Sequence, residues 1–88
     1  MSPIFELPSI ASNQEIEQFL KKIATNVKRI RMEKGVSQFD LALTIGQRGS
    51  GFIANAENNA NRKRFNLEHL YKIAKALDVD VQDFLAEI

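Results

Sequence analysis

The chain has 88 residues, enough for one hydrophobic core and one domain, and its 44% hydrophobic and 26% charged residues are the composition of a globular protein and not of a disordered one. With no cysteine and a single histidine, His69, it offers neither a disulfide framework nor a thiolate or imidazole metal site, and no cofactor or metal is expected. The net charge of +1 conceals a division along the chain: residues 1–20 carry net −3, residues 21–64 set ten Lys and Arg against three acids for net +7, and residues 65–88 return to −3.

A basic middle between acidic ends points to one surface that meets a polyanion, because local potential, more than total charge, steers association. The start of the chain has neither a basic region nor an apolar run fit for a signal peptide. No run of about 18 apolar residues occurs anywhere, so a soluble, cytoplasmic protein without membrane contact is expected. Residues 1–12, with Pro3 and Pro8, read as an extended N-terminal arm, and residues 13–88 as one domain with no segment left for an effector domain.

Helical periodicity dominates the rest, and the predicted fold is all-α. Ser12 and Glu15 make a capping box, after which Ile16, Leu20, Ile23, Val27 and Ile30 advance by steps of four and three along one helix face until Gly35. Ser37 with Asp40 opens a second, short helix carrying Phe39, Leu41, Ala42 and Ile45, closed by Gly46. After the turn at Gln47, Arg48, Gly49 and Ser50, a third short helix places Phe52, Ile53 and Ala56 toward a core. Residues 58–64 are polar throughout and asparagine-rich, which predicts a surface loop. Asn66 caps a fourth helix with Leu67, Leu70, Ile73, Ala74 and Leu77 on its apolar face. Asp80 and Asp83 predict a fifth, with Val81, Phe84, Leu85 and Ile88.

Catalysis fails for lack of parts. His69 sits among core positions with no nucleophile beside it, and its expected role is structural. The run from Gly46 to Gly51 has the glycine spacing of a phosphate loop, but Phe52 and Ile53 occupy the places where lysine and a hydroxyl residue are needed. Lys21, Lys22, Lys28 and Arg29 lie off the apolar stripe of the first helix and read as a solvated face.

A long helix, two short helices around a tight turn and two more helices resemble the five-helix domain of the XRE-like family of phage repressor and Cro type. The resemblance covers about residues 23–86. It rests on Ile23, Val27, Ile30 and Arg31, then on the run from Gly35 to Gln38, on Leu41, Ala42, Ile45 and Gly46, on Ile53 with Glu57, and on the run from Leu70 to Leu77 with Val79 and Phe84. It implies a DNA-binding transcriptional regulator, a repressor in type, without enzyme activity or small-molecule ligand, acting as a homodimer on double-stranded DNA.

Residue by residue, the resemblance implies a phosphate contact from Gln38 at the start of the second helix, and a third helix lying in the major groove. Counting back from Glu57 turns Ser50, Gly51, Phe52 and Asn55 toward DNA, with Gln47 and Arg48 before them and Asn58 after them. Asn55 is the principal base reader, suited to an adenine edge. Arg62, Lys63 and Arg64 are the expected phosphate clamps, and Arg31 and Glu57 a buried ion pair. Apart from the resemblance, Val81, Phe84, Leu85 and Ile88 carry more apolar surface than so short an element needs for its own core contacts, which makes them the expected dimer surface. This chain departs from the family in two places: the segment between Gly46 and Glu57 is about one residue longer than usual, and the loop from Asn58 about two. The competing reading is a protein-interaction module, an antitoxin or anti-repressor, whose arm from Ser2 to Ala11 masks a partner protein.

Overall fold

In a computed structural model, residues 10–87 are described; the arm before Ile10 and the last residue, Ile88, lie outside them. The described chain is all-α: helices α1 (Asn13–Glu33), α2 (Gln38–Thr44), α3 (Gly51–Glu57) and α4 (Leu67–Leu77), followed by a 3-10 turn at Val81–Phe84. The starts fall where the capping residues stand. Ser12 Oγ accepts the Glu15 N–H while Glu15 Oε1 accepts the Ser12 N–H, and Ser37 Oγ accepts from Asp40 N. Asn66 Oδ1 accepts from His69 N. Such caps satisfy amide donors that the first turn leaves without carbonyl partners. Gly35 and Gly46 leave α1 and α2 at φ of +70° and +90°, which only glycine adopts freely.

The core gathers Ile23, Val27 and Ile30 of α1 with Leu41, Ala42, Ile45, Ile53, Leu70, Ile73, Ala74, Leu77 and Phe84. Three expectations change. The apolar stripe of α1 does not reach the core along its full length: Ile16 and Phe19 remain 45% and 55% exposed, because the first turns of the helix extend past the elements that bury its second half. Phe39 and Leu67, read as apolar-face residues of α2 and α4, are exposed. The fifth helix is a four-residue 3-10 turn, in which the Asp83 carboxylate accepts the Asp80 N–H at 3.2 Å.

That turn is held by a residue the apolar pattern passes over. Asn26, fully buried on α1 between Ile23 and Ile30, donates from Nδ2 to Phe84 O at 2.9 Å and Ala86 O at 2.8 Å. It pairs the carbonyls that so short a helix leaves free. Phe84 is consequently 0% exposed, which removes it from the predicted dimer surface: its ring fills the core of its own chain.

Arg31 and Glu57 form the expected buried pair. Arg31 donates from Nε to Glu57 Oε2 at 2.7 Å and from Nη2 to Oε1 at 3.1 Å, with side-chain exposures of 9% and 0%. Arg31 Nη1 also donates to Val36 O at 2.7 Å, and Gln38 Nε2 donates to Glu57 Oε1 at 3.0 Å. Glu57→Ala strands the guanidinium in the interior with one carbonyl partner, and should cost about 3 kcal/mol in a urea titration. A loss below about 1 kcal/mol would show that the pair contributes little.

His69 completes the α4 cap from the other side. Its Nδ1 accepts the Asn66 N–H at 3.1 Å, so the ring proton sits on Nε2. Burial pushes the imidazole pKa below its ordinary 6.5, Lys72 acting in the same direction and Glu68 against it. The unfolded chain therefore takes up this proton at a higher pH than the folded one. The contribution is complete above about pH 6.5 and is lost as the pH falls through the lower folded value. Between about pH 7.5 and pH 5.5 the wild-type urea midpoint should fall more than that of His69→Gln, which lacks the titrating ring; parallel midpoints would refute the assignment.

Candidate nucleic-acid interface

Ile53, Ala56 and Glu57 are the buried residues of α3, and at 3.6 residues per turn they fix which side chains face away. Gly51, Asn55 and Asn58 fall on the opposite side. Gly51 and Asn58 are exposed; Asn55 is half-buried by a neighbour on the following loop. The α2–turn–α3 unit is held against α1 by the Arg31–Glu57 pair, so the outward face of α3 has a fixed orientation in the domain.

Before α3, Arg48 is exposed and makes no ion pair among the described residues, while Gln47 and Ser50 are half-buried. The Gln47 backbone N–H donates to Ala42 O at 2.8 Å and draws the turn onto the end of α2. Ser50 has αR backbone angles and makes no side-chain cap bond, so its hydroxyl is not consumed by the helix start.

Phe52 does not join the outward face. Its ring meets Phe65 edge-on at 5.8 Å between centroids and His69 at 4.5 Å, packed against the core. Turned roughly a quarter of the way round the helix from Gly51, the ring finds aromatic cover there, as the apolar pattern of α3 predicts and against the expectation that it faces DNA.

The loop after α3 is shaped by strain and by side-chain bonds. Asn59, Asn61 and Arg62 have φ of 56°, 54° and 57°, three left-handed residues within four positions. Asparagine tolerates this region; for arginine it is costly and persists only where the surroundings enforce it. The loop is closed by several bonds: Ala60 N–H donates to Asn55 O at 2.8 Å, Asn61 Nδ2 to Asn55 Oδ1 at 3.0 Å, Asn59 Nδ2 to Glu17 Oε2 at 3.2 Å, and across Asn61 and Arg62 the Lys63 N–H donates to Ala60 O at 3.0 Å. Asn58 bonds back to its own helix, Nδ2 to Ala54 O at 3.0 Å.

The three consecutive bases divide. Arg62 and Lys63 are exposed and form no ion pair among the described residues. Arg64 instead donates from Nη2 to both carboxylate oxygens of Glu17, at 3.0 and 2.9 Å. Its charge is met within the chain by Glu17, which sets it apart from Arg62 and Lys63. In the sequence Glu17 is one of the acids of residues 1–20, and no spacing rule links it to Asn59 and Arg64, 42 and 47 positions away.

The predicted C-terminal dimer residues are also dispersed. Val81 is half-buried against the core, Leu85 is 47% exposed, Phe84 is internal, and Ile88 lies outside the described residues. Among the described residues no three His, Asp or Glu side chains gather to hold a metal ion, and no helix is long and apolar enough to cross a membrane.

A search of curated proteins and one of solved structures find no match to this chain. A family model described as helix-turn-helix matches residues 27–84, from the middle of α1 through the 3-10 turn. That span holds the ion pair, both short helices and the basic loop, and it covers well over half the chain. The chain therefore belongs to the helix-turn-helix family of XRE type, a family of non-enzymatic domains whose partner is DNA.

Proposed function

We propose that the protein is a sequence-specific regulator of transcription, a repressor in type, that binds a near-palindromic site on double-stranded DNA as a homodimer in the cytoplasm. The observation that carries this reading is the placement of Arg48, Arg62 and Lys63, all exposed, on either side of a short helix whose outward face bears Asn55. Cations flanking a helix that can enter the major groove bind phosphates on both walls, while the helix reads base edges.

In this reading Arg48, Arg62 and Lys63 neutralise phosphates. Gln38 spends one N–H on Glu57 and keeps the second for a backbone phosphate. Gln47, Ser50 and Asn58 lie beside the groove, and Gly51 lets the helix backbone approach closely. Asn55 reads a base edge. Homodimerisation is supported by Leu85, a half-exposed apolar side chain at the C-terminal turn. A two-fold axis there would set two α3 helices about 34 Å apart, one turn of DNA.

Phosphate contacts and base contacts separate in titrations. Lys63→Ala or Arg48→Ala should weaken preferred and random duplexes alike and lower the salt slope by about 1. Asn55→Ala should cost roughly 1–3 kcal/mol on the preferred duplex and leave the salt slope unchanged. If none of the three variants alters binding, the DNA-reading surface lies elsewhere and the partner-masking role gains. Sedimentation should show a dimer on the preferred duplex, with Leu85→Asp shifting the complex toward one protomer per duplex; a wild-type monomer on DNA would overturn the two-fold arrangement.

A further inference from the structure

The loop after α3 does more than present cations: it touches the base-reading residue itself. Asn61 Nδ2 donates to Asn55 Oδ1 at 3.0 Å, and the neighbouring Ala60 N–H donates to Asn55 O at 2.8 Å. Asn55 is thereby held at both its side chain and its backbone by two consecutive residues of a loop that has left-handed angles at Asn59, Asn61 and Arg62 and is tied to α1 through the Asn59–Glu17 bond. A strained segment fixed in this way is suited to hold another group in one orientation.

In the observed pairing the Asn55 amide has a defined direction. A carboxamide has an acceptor end and a donor end, and the acceptor end here turns to the loop. The Asn55 Nδ2 group, which has no partner among the described residues, then points away from Asn61. An unconstrained asparagine offers both ends and suits adenine, which carries a donor and an acceptor in the major groove; an asparagine fixed with its donor end outward suits acceptor edges, of which guanine, with N7 and O6, has two.

We infer that Asn61 is a positioning residue for recognition, which orients the Asn55 amide so that it reads a hydrogen-bond acceptor on the base edge. This rests on the proposed DNA-reading role of α3 and names the chemistry that α3 selects. The role also connects the length of the loop to its use, because Asn61 reaches Asn55 only by way of the turn through Asn59 and Ala60.

The test is selection from random duplexes with the wild type, Asn55→Ala, Asn61→Gly and Asn61→Asp, with salt dependence measured on each enriched duplex. Glycine is compatible with the φ of 54° at position 61 and removes only the side-chain donor, so this variant should fold. The wild type should enrich guanine at one position of each half-site, and Asn55→Ala should lose that preference. Asn61→Gly should relax it about tenfold or let adenine in, with preferences elsewhere and the salt slope retained. Asn61→Asp accepts from Asn55 Nδ2 and turns Oδ1 outward, so the preferred base should change from guanine to cytosine, whose edge carries a donor. The added negative charge by itself lowers affinity for all duplexes alike, so the change in base preference is read from their ranking and not from absolute affinity. Retention of the wild-type preference in both Asn61 variants, while Asn55→Ala loses it, would overturn the positioning role and leave the DNA-reading role intact. A wild type that enriches no sequence would overturn both.

Discussion

A guanidinium and a carboxylate buried together impose geometry as well as charge balance, and Arg31 and Glu57 do so at the junction of three helices. The carboxylate stands at the last position of α3, the guanidinium near the end of α1, and the remaining hydrogen bonds run to Val36 O and Gln38 at the entry to α2. A bidentate pair tolerates little rotation about its contact, so the angle of α3 against α1 follows from the planar fork of the arginine. Everything on the outward side of α3 inherits that angle. A hydrophobic pair of equal volume would fill the same space and could be as stable, but would leave the short helices free to settle in other rotations.

The polar groups around this frame each have more than one structural duty. Glu17 on the overhanging part of α1 receives Arg64 and Asn59, so the helix turns that contribute nothing to the core brace the loop. The consequence for electrostatics is a sorting of the basic middle of the chain: part of its positive charge is neutralised at the base of the loop, and the remainder, on Arg62 and Lys63, is concentrated at its exposed side. The field seen by a polyanion is therefore more local than the net +7 of that segment suggests.

Much of this was legible in the sequence because short-range rules govern it. Ser12 with Glu15, Ser37 with Asp40 and Asn66 place helix starts through bonds spanning three residues, and the ion pair followed from the order of family residues. What pattern could not supply was long-range. Periodicity marks Ile16 as a core residue because it cannot tell where the packing partners of α1 end. It likewise reads Phe84 as surplus apolar surface, since the cavity that receives it is made by residues far along the chain. The caps at Asp80 and Asp83 signal a helix start but carry no information on length, and only a 3-10 turn follows. Asn26 left a faint signal as a polar residue inside the stripe from Ile23 to Ile30, where burial requires a partner. For Asn61 and Glu17 no such signal existed, as both sit in polar surroundings where a bond and its absence look alike.

The Asn26 amide also bears on how the chain reaches this state. Its two bonds span 58 and 60 positions, so they close a loop of about two thirds of the chain, whereas the contacts that form the helix starts and the short-helix turns are local. Closing so long a loop carries an entropy cost that is recovered only once Phe84 can enter a core already present. Docking of the last turn therefore depends on a core that the four helices supply, and a turn held mainly by such long-range bonds is expected to open before α1 or α4 under native conditions. Amide exchange would register this as weaker protection in the C-terminal turn than in α1 or α4, and a binding partner that engages Leu85 would slow that opening without touching α2 or α3.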